Sequence, residues 1–257
     1  YNASLLLAHR IAKYFGLTIE EVIRVCREDE EVKLAEEAVA AVNKARAYIE
    51  KKLKEKAVIY GLTTGFGKFS NVVISPEETE KLQRNLIISH TCTMGNHYPR
   101  HYVRAAMLLR CNALARGNSG IRLETLQTLI DMINKGVHPV IPEKGSLGAS
   151  GDLAPLSHIA LGLIGEGEVE YKGQIMPAAE AMKKAGIRPV TLASKEGLAL
   201  NNGTQMMTAI GLNVVWDAMK LQKVADIACA LTDEALHAIK KAYDPKIQEL
   251  RGHQGQK

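Results

Sequence analysis

Apolar residues recur three or four positions apart along most of this chain, which is the spacing that places them on one face of an α-helix. The longest such run extends over residues 194–242 almost without interruption. One small domain could not bury a helix of that length along its flank. The pattern therefore predicts a mainly α fold that leads into a bundle of long helices. The clearest early run predicts a long amphipathic helix and contains Leu34, Ala38, Ala41, Val42, Ala45, Tyr48, Ile49 and Leu53.

Local signals place the ends of several predicted helices. Thr18-Ile19-Glu20-Glu21 has the pattern of a capping box, which predicts a helix that begins directly after the threonine. Ser75-Pro76-Glu77-Glu78 combines an N-cap serine with a proline at the first helical position, and it predicts another start. Further helices are predicted over residues 99–117 and 123–135, with Gly136 as the stop signal of the second.

One short segment has the period of a strand rather than of a helix. Residues 168–175 alternate about a Lys172-Gly173 turn, which predicts a small β-hairpin. The domain organisation expected from these patterns is an α-rich N-terminal domain with this hairpin, residues 1–193. Residues 194–257 would then be the start of a central helical bundle that is incomplete in this chain.

Composition is that of an ordinary globular protein. Lysine and arginine exceed aspartate and glutamate by 33 to 28, a net charge of +5, and the basic residues are scattered beside acidic ones, so we expect no nucleic-acid partner. The four cysteines are far apart in the sequence, which is typical of free thiols in a reducing cytoplasm. No apolar run is long enough to span a membrane, and Leu5-Leu6-Leu7-Ala8 is too short for the core of a signal peptide.

The stretch Gly145-Ser146-Leu147-Gly148-Ala149-Ser150-Gly151-Asp152-Leu153-Ala154-Pro155 is the most informative in the chain. Its simplest interpretation is a glycine-rich turn in which Ser150 or Asp152 caps a helix over residues 153–163. The small residues around Ser150 also allow a tighter fold of the backbone. In that fold the Gly151 nitrogen would attack the Ala149 carbonyl and the serine would lose its hydroxyl as water, which would leave a methylidene-imidazolone ring. Spacing alone leaves both interpretations open.

The segment from Ala149 to Leu156 resembles the active-site signature of the aromatic amino acid ammonia-lyases. Three further matches to that family follow the same order along the chain, and together they cover roughly residues 17–257. Within the family, the histidine ammonia-lyases are the most similar. The further matches are Tyr60-Gly61-Leu62-Thr63-Thr64-Gly65-Phe66-Gly67, the helix from Leu82-Gln83 to Ser89-His90, and Asn202-Gly203-Thr204-Gln205.

The resemblance implies a non-oxidative elimination of ammonia from an amino acid. The ring from Ala149, Ser150 and Gly151 would be the electrophile, with no metal or dissociable cofactor. Tyr60 would take a proton from an unactivated carbon, which requires a base held in a dry pocket. Asn202 would polarise the ring carbonyl. The implied site residues are Tyr60, Ala149, Ser150, Gly151 and Asn202 for catalysis, His90 and Gln205 for the substrate, and Gly67 and Asp152 in support.

The substrate implied by the resemblance is L-histidine, which would give urocanate. An imidazole at position 90 can hydrogen-bond an imidazole or a phenol but gains little against a bare phenyl ring, so histidine and tyrosine fit better than phenylalanine. Gln205 is similar to the residue of the histidine enzymes. Two departures from the family, Thr91-Cys92-Thr93-Met94 and Asn201, would reshape the pocket. A tyrosine or phenylalanine lyase or aminomutase is therefore the alternative.

One cluster of potential metal ligands occurs outside these motifs. His90-x-Cys92-x4-His97-x3-His101 contains four ligand-type side chains. We expect Pro99 to start a helix between the last two histidines, so that they do not share a helix face. The sequence therefore predicts no metal site.

Length is the largest departure from the family, whose subunits are about twice as long. The resemblance implies that the absent half carries a second tyrosine loop and the arginine that holds the substrate carboxylate. It also implies a homotetramer in which three subunits build each active site. This chain would then be a truncated chain, a product of proteolysis or half of a split enzyme, almost inactive alone. A different possibility is a non-catalytic helical half that assembles with a partner chain.

Overall fold

The computed structural model describes residues 17–55, 57–59, 62, 64, 78–148 and 151–256. Helices predominate among them, and the strands are short, so the predicted mainly α fold is confirmed. The chain divides into two compact units, Tyr1–Asn213 and Val214–Lys257.

The first unit is a set of packed helices with small sheets at their edges. In chain order the helices are α1 (Ile19–Arg27), α2 (Glu36–Lys54), α3 (Thr79–His90), α4 (Arg100–Ala115), α5 (Leu123–Asn134), α6 (Leu153–Leu163), α7 (Ala178–Lys184), α8 (Glu196–Asn201) and the first part of α9 (Gln205–Ala235). Helix α1 packs on α4, α4 packs on α5, and α3 packs on both α6 and α8.

Several helix ends lie where local sequence signals predict them. The Thr18 hydroxyl accepts from the Glu21 amide at 3.2 Å, and the Glu21 carboxylate accepts from the Thr18 amide at 2.8 Å, so the capping box is confirmed. Helix α5 ends before Gly136, whose φ of +72° lies in the left-handed region that favours glycine. Helix α3 begins at Thr79, and the predicted start at Ser75-Pro76-Glu77 lies outside the described residues.

The predicted hairpin is confirmed and belongs to a larger sheet. Strands β4 (Glu168–Tyr171) and β5 (Gln174–Pro177) are antiparallel neighbours. Strand β2 (Val137–Pro139) pairs antiparallel with β4, which the alternation pattern does not predict. A separate two-stranded sheet joins β1 (Met94–His97) to β3 (Pro142–Lys144).

The core of the first unit is aliphatic and centres on α4 and α5. Side chains of this kind supply most of its buried area, and their removal from water is the main favourable contribution to folding. Members that are inaccessible to solvent include Met107, Leu108, Leu114, Leu126, Leu129, Ile130, Met132 and Ile133.

The prediction of one almost unbroken helix over residues 194–242 is wrong. Helix α8 ends at Asn201, and α9 begins at Gln205, so Asn202-Gly203-Thr204 forms a break. Asn202 has extended backbone angles, φ −99° and ψ 109°, and its amide still donates to the Leu198 carbonyl. The helical period continues across the break because both helices carry apolar residues at helical spacing.

The second unit contains the rest of α9, a 3₁₀ turn at Lys240–Tyr243, helix α10 (Pro245–Arg251) and a further 3₁₀ turn at Gln254–Gln256. No residue in 214–255 is buried in the structure. The units divide later in the chain than the predicted domain boundary after residue 193, since α8 packs on α3 and α6. The domain boundaries of a longer protein stay a prediction. Within the described part of the chain, we find no helix with the length and apolar character of a membrane span.

Candidate active site

Gly151 lies where the backbone can accept no other residue. Its φ is +113°, and it forms an isolated antiparallel bridge with Gly148. A Cβ atom at this position would lie 2.5 Å from the carbonyl oxygen of Gly203 and 2.8 Å from its nitrogen. Glycine is therefore required both by backbone conformation and by close approach of a second chain segment. Ala149 and Ser150 lie outside the described residues, as do Tyr60 and Gly67.

Asp152 connects this turn to the start of α9. Its amide donates to the Gly203 carbonyl at 2.6 Å. Its carboxylate, only 2% exposed, accepts from the Ser146 hydroxyl at 3.0 Å and from the Met207 amide at 2.8 Å. Asp152 directly precedes α6 but makes no side-chain capping bond to it. Asp152 therefore occupies the predicted N-cap position of α6, but the prediction that its side chain caps this helix is wrong, because its carboxylate satisfies an amide in the first turn of α9 instead.

Asn202 and Gln205 lie at the two sides of the break between α8 and α9. The Asn202 side chain is exposed, while its carbonyl oxygen accepts from Nη1 of Arg110 at 2.8 Å. The Gln205 side-chain oxygen Oε1 accepts from the same nitrogen, also at 2.8 Å. The structure thus brings together Gly151 and Asp152 with Asn202 and Gln205, from two separate parts of the sequence.

Arg110, on α4, is part of this cluster, although the sequence motifs do not identify it. It is 5% exposed, and burial lowers the pKa of its guanidinium to about 10. It forms no salt bridge with any residue that the structure describes. The signal that could have revealed it is a single charge within the apolar run Met107-Leu108-Leu109-Arg110-Cys111.

His90 is the last residue of α3 and is partly buried. Its Nδ1 lies 2.8 Å from the Leu86 carbonyl, and a carbonyl oxygen only accepts, so Nδ1 carries the proton. In the neutral ring Nε2 is then an acceptor. Helix α3 packs on α6 and α8, but no hydrogen bond among the described residues joins His90 to Asn202 or Gln205.

Two contacts hold the surroundings of the cluster. Gln83 is fully buried in α3, and its Oε1 accepts from the Gly197 amide of α8 at 2.8 Å. Thr93, in the segment that departs from the family, has its hydroxyl 2.7 Å from Nε2 of His158 on α6. Burial lowers the pKa of His158, which favours its neutral form there.

The histidines and cysteine of the potential metal cluster belong to different elements. His97 lies on β1, Pro99 is the N-cap of α4, and His101 lies within that helix, as the sequence predicts. In the ranges that the structure describes, no three His, Cys, Asp or Glu side chains are grouped to hold a metal ion.

Comparison with known proteins gives a consistent family. A family model described as aromatic amino acid lyase matches residues 17–257. The histidine ammonia-lyase of Alkaliphilus oremlandii is 61% identical over 240 residues, which cover 93% of this chain and 47% of that protein. The histidine ammonia-lyase of Bacillus subtilis is 52% identical over 241 residues, with 94% and 47% covered.

Solved structures with the same fold include enzymes named for different reactions. Histidine ammonia-lyase from Trypanosoma cruzi superposes with a TM-score of 0.87 at 40% identity, covering 93% of this chain and 46% of that one. A phenylalanine aminomutase from Pantoea agglomerans superposes with a TM-score of 0.89 at 37% identity, covering 94% and 47%. The chain spans about half the length of the relatives it matches.

Proposed function

The chain belongs to the aromatic amino acid lyase family, and from this we propose that it is the N-terminal half of a histidine ammonia-lyase. The reaction would remove ammonia from L-histidine and give urocanate. The identity of 50–61% to proteins of that name over nearly all of this chain supports the assignment.

The observation that carries the proposal is the environment of Gly151. Ring closure joins the Gly151 nitrogen to the Ala149 carbonyl carbon, whose oxygen leaves as water, and Ser150 loses its hydroxyl as a second water. The backbone at Gly151 is tightly turned and crowded, as ring closure requires. Gly151 has a positive φ and a bridge to Gly148, and a Cβ atom on it would lie 2.5 Å from the Gly203 carbonyl oxygen. When formed, the ring supplies an electrophile that can accept electron density from the substrate.

The chain's own residues would bind the substrate and move its proton. Tyr60 would accept a proton at its phenol oxygen from the carbon next to the aromatic ring. Asn202, whose side chain is exposed at the break, has donors and an acceptor to direct at the ring carbonyl. The Nε2 of His90 would accept the N–H of a substrate imidazole, and the amide nitrogen of Gln205 would be a second polar contact.

The assembly would be larger than one such chain. We propose a homotetramer. The group that holds the substrate carboxylate would come from the remainder of the subunit or from a separate C-terminal partner chain. The exposed apolar side chains of residues 214–255 support this proposal, because a further part of the subunit or a partner chain could cover them. A cytoplasmic location belongs to the same proposal and is supported by four free cysteines.

A phenylalanine or tyrosine lyase or aminomutase is the second candidate. The superposition on a phenylalanine aminomutase favours it, since that fold carries both kinds of reaction. Product analysis with histidine, tyrosine and phenylalanine separates the candidates, because a mutase returns a β-amino acid rather than free ammonia.

Intact mass tests the ring directly. A full-length subunit that contains this chain should weigh less than its sequence mass by two water molecules and absorb near-ultraviolet light beyond its tryptophan and tyrosines. Ser150→Ala should restore the full mass and remove the extra absorbance. Tyr60→Phe should keep the ring yet lower kcat by about 10²–10⁴-fold with little change in KM. A folded wild-type subunit with its full sequence mass would contradict the proposal.

A further inference from the structure

Arg110 contacts two residues of the candidate site, Asn202 and Gln205, and has no part in the proposed reaction. We propose that Arg110 is a positioning residue, which holds the Asn202 backbone and sets the orientation of the Gln205 side-chain amide. This inference rests on the proposed function, because it assigns both contacts a purpose in substrate binding and in holding the turn at Gly151.

The first argument is the cost of placing this charge. A guanidinium that is 5% exposed has lost most of its water, and no carboxylate among the described residues pairs with it. Its two partners are oxygens of one short segment, the carbonyl of Asn202 and Oε1 of Gln205, both at 2.8 Å. Hydrogen bonds from a charged donor are the stronger kind, so the charge is used to hold this segment.

The second argument concerns the Gln205 amide. A glutamine amide can present either its oxygen or its nitrogen to a neighbour, and arginine has donors but no acceptor. The atom that faces Arg110 must therefore be Oε1, which directs Nε2 away from the guanidinium. No residue that the structure describes accepts a hydrogen bond from Nε2. Arg110 thus leaves Gln205 with a donor to present to a ligand.

The third argument is the path from Arg110 to the electrophile. Arg110 holds the carbonyl of Asn202, and the carbonyl of the following Gly203 accepts from the Asp152 amide at 2.6 Å. Asp152 directly follows Gly151. The turn at Gly151 is therefore hydrogen-bonded to the segment Asn202-Gly203, and Arg110 fixes that segment. A methyl group at Gly203 would collide with Gln205 Oε1 and Arg110 Nη1, so these two side chains would have to leave their present contacts to accommodate it.

Arg104, on the same helix, provides a matched control. It is 2% exposed, and its guanidinium also donates to backbone carbonyls, those of Val25 and Ile133. None of its partners belongs to the candidate site. Loss of a buried guanidinium is therefore common to Arg104→Met and Arg110→Met, whereas loss of the contacts to Asn202 and Gln205 is specific to the second.

The experiment compares these variants in a full-length subunit, with intact mass, near-ultraviolet absorbance, kcat and KM for histidine as readouts. Arg110→Met should contain less of the ring than wild type, and its ring-bearing fraction should show a KM raised about tenfold, the effect of one lost hydrogen bond. Arg110→Lys should recover part of both effects, because an ammonium can reach one of the two oxygens. Arg104→Met should lose stability and keep wild-type mass and KM.

A double-mutant cycle separates positioning from a general structural role. If Arg110 acts through Gln205, the effect of Arg110→Met on KM should be largely absent in a Gln205→Leu background. Additive effects on KM, or an Arg110→Met variant that matches wild type in ring content and KM, would overturn the inference. A wild-type subunit that lacks the ring would instead overturn the proposed function, and this inference with it.

Discussion

His90 ends α3 with its Nδ1 proton directed at the Leu86 carbonyl, so Nε2 is the atom it can offer to a substrate. That arrangement suits a substrate with an N–H or O–H on its ring. In the proposed enzyme the same nitrogen would be left without a partner against a phenyl ring, which would weaken the binding of phenylalanine.

We therefore predict that His90→Phe changes the substrate preference. The specificity constant kcat/KM should fall about 10- to 100-fold for histidine and rise for phenylalanine, because a polar partner is lost and an apolar surface is gained. Steady-state kinetics on both amino acids measures the change, with His97→Phe on strand β1 as the control that should leave the ratio unaltered. A wild-type enzyme faster on phenylalanine than on histidine would contradict the assigned role.

His138 illustrates a residue whose importance is for stability. It is 2% exposed, and burial together with the positive charge of Arg104 lowers its pKa to about 3. Its Nε2 lies 3.3 Å from Nη1 of Arg104, and arginine only donates, so the neutral ring with an accepting Nε2 is the native form.

The free energy of unfolding should fall as pH is lowered through this range. Between the ordinary pKa of 6.5 and about 3, the unfolded chain binds a proton at His138 that the folded chain excludes. The slope from this group should approach about 1.4 kcal/mol per pH unit. Urea unfolding of wild type and of His138→Gln at several pH values gives two slopes of unfolding free energy against pH. The difference between these slopes is the contribution of His138. His253→Gln, at an exposed histidine, should keep the wild-type slope.

At the scale of elements, one buried carboxylate joins the start of α8 to the start of α5. Glu196 is inaccessible to solvent and accepts from Nη2 of Arg122 at 2.8 Å, from the Thr125 hydroxyl at 2.7 Å and from the Ala193 amide at 2.7 Å. Arg122 also pairs with Glu124, whose side chain is 72% exposed.

Glu196→Ala should destabilise the protein by about 3–5 kcal/mol, because it leaves buried donors and a charge without their acceptor. Glu124→Ala removes the exposed partner of the same arginine and should cost less than about 1 kcal/mol. Urea unfolding with an unchanged m-value measures both. Equal losses in the two variants would show that burial does not distinguish these carboxylates.

The break between α8 and α9 gives a second prediction at this scale. Gly203 has no positive φ, so alanine meets no backbone strain there, but its methyl group would collide with Arg110 and Gln205. Gly203→Ala should therefore destabilise the protein by about 1–3 kcal/mol and lower the ring absorbance. Gly211→Ala, within α9 and with nothing near the added methyl, should be neutral or stabilising by up to about 1 kcal/mol. Unfolding free energies and absorbance spectra of both variants test this prediction. A Gly203→Ala variant as stable as wild type would mean that the break between α8 and α9 can widen.

At the scale of the whole molecule, residues 214–255 have no buried side chain of their own. Leu221 is 69% exposed and Leu231 is 67% exposed, and Val224 and Ile227 lie between them on α9. Apolar surface of this extent is typical of a protein–protein contact.

We predict that this chain alone self-associates and has little activity. Charged substitutions at Val224, Ile227 and Leu231 should shift it toward the monomer, whereas Lys223→Gln with Asp226→Asn on the same helix should not. Light scattering measures the state, and an ammonia-release assay measures the activity. Without the group that holds the substrate carboxylate, the substrate loses a charge-assisted anchor and its orientation. A stable wild-type monomer would contradict the first part, and ordinary turnover would contradict the second.

Several features of this molecule depend on few neighbouring residues, and these could be predicted from the sequence. The capping box at Thr18, the stop at Gly136 and the turn at Lys172-Gly173 each require only backbone angles and hydrogen bonds within one turn of chain. The order of motifs similarly indicated the family. The sequence period alone could not reveal the break at Asn202, because apolar residues recur at helical spacing on both sides of it.

The contacts that build the site join residues far apart in the chain. Arg110 reaches Asn202 across 92 positions, and Asp152 reaches Met207 across 55. Local preference favoured the Asp152 side chain as a cap for α6, yet its carboxylate bonds to α9, because the packing of the helices places the Met207 amide 2.8 Å from it. Arg110 has no motif at all in the sequence. Its proposed role follows from two oxygens, those of the Asn202 carbonyl and the Gln205 side chain, that lie 2.8 Å from its Nη1. That proximity exists only after folding has placed α4 beside the break.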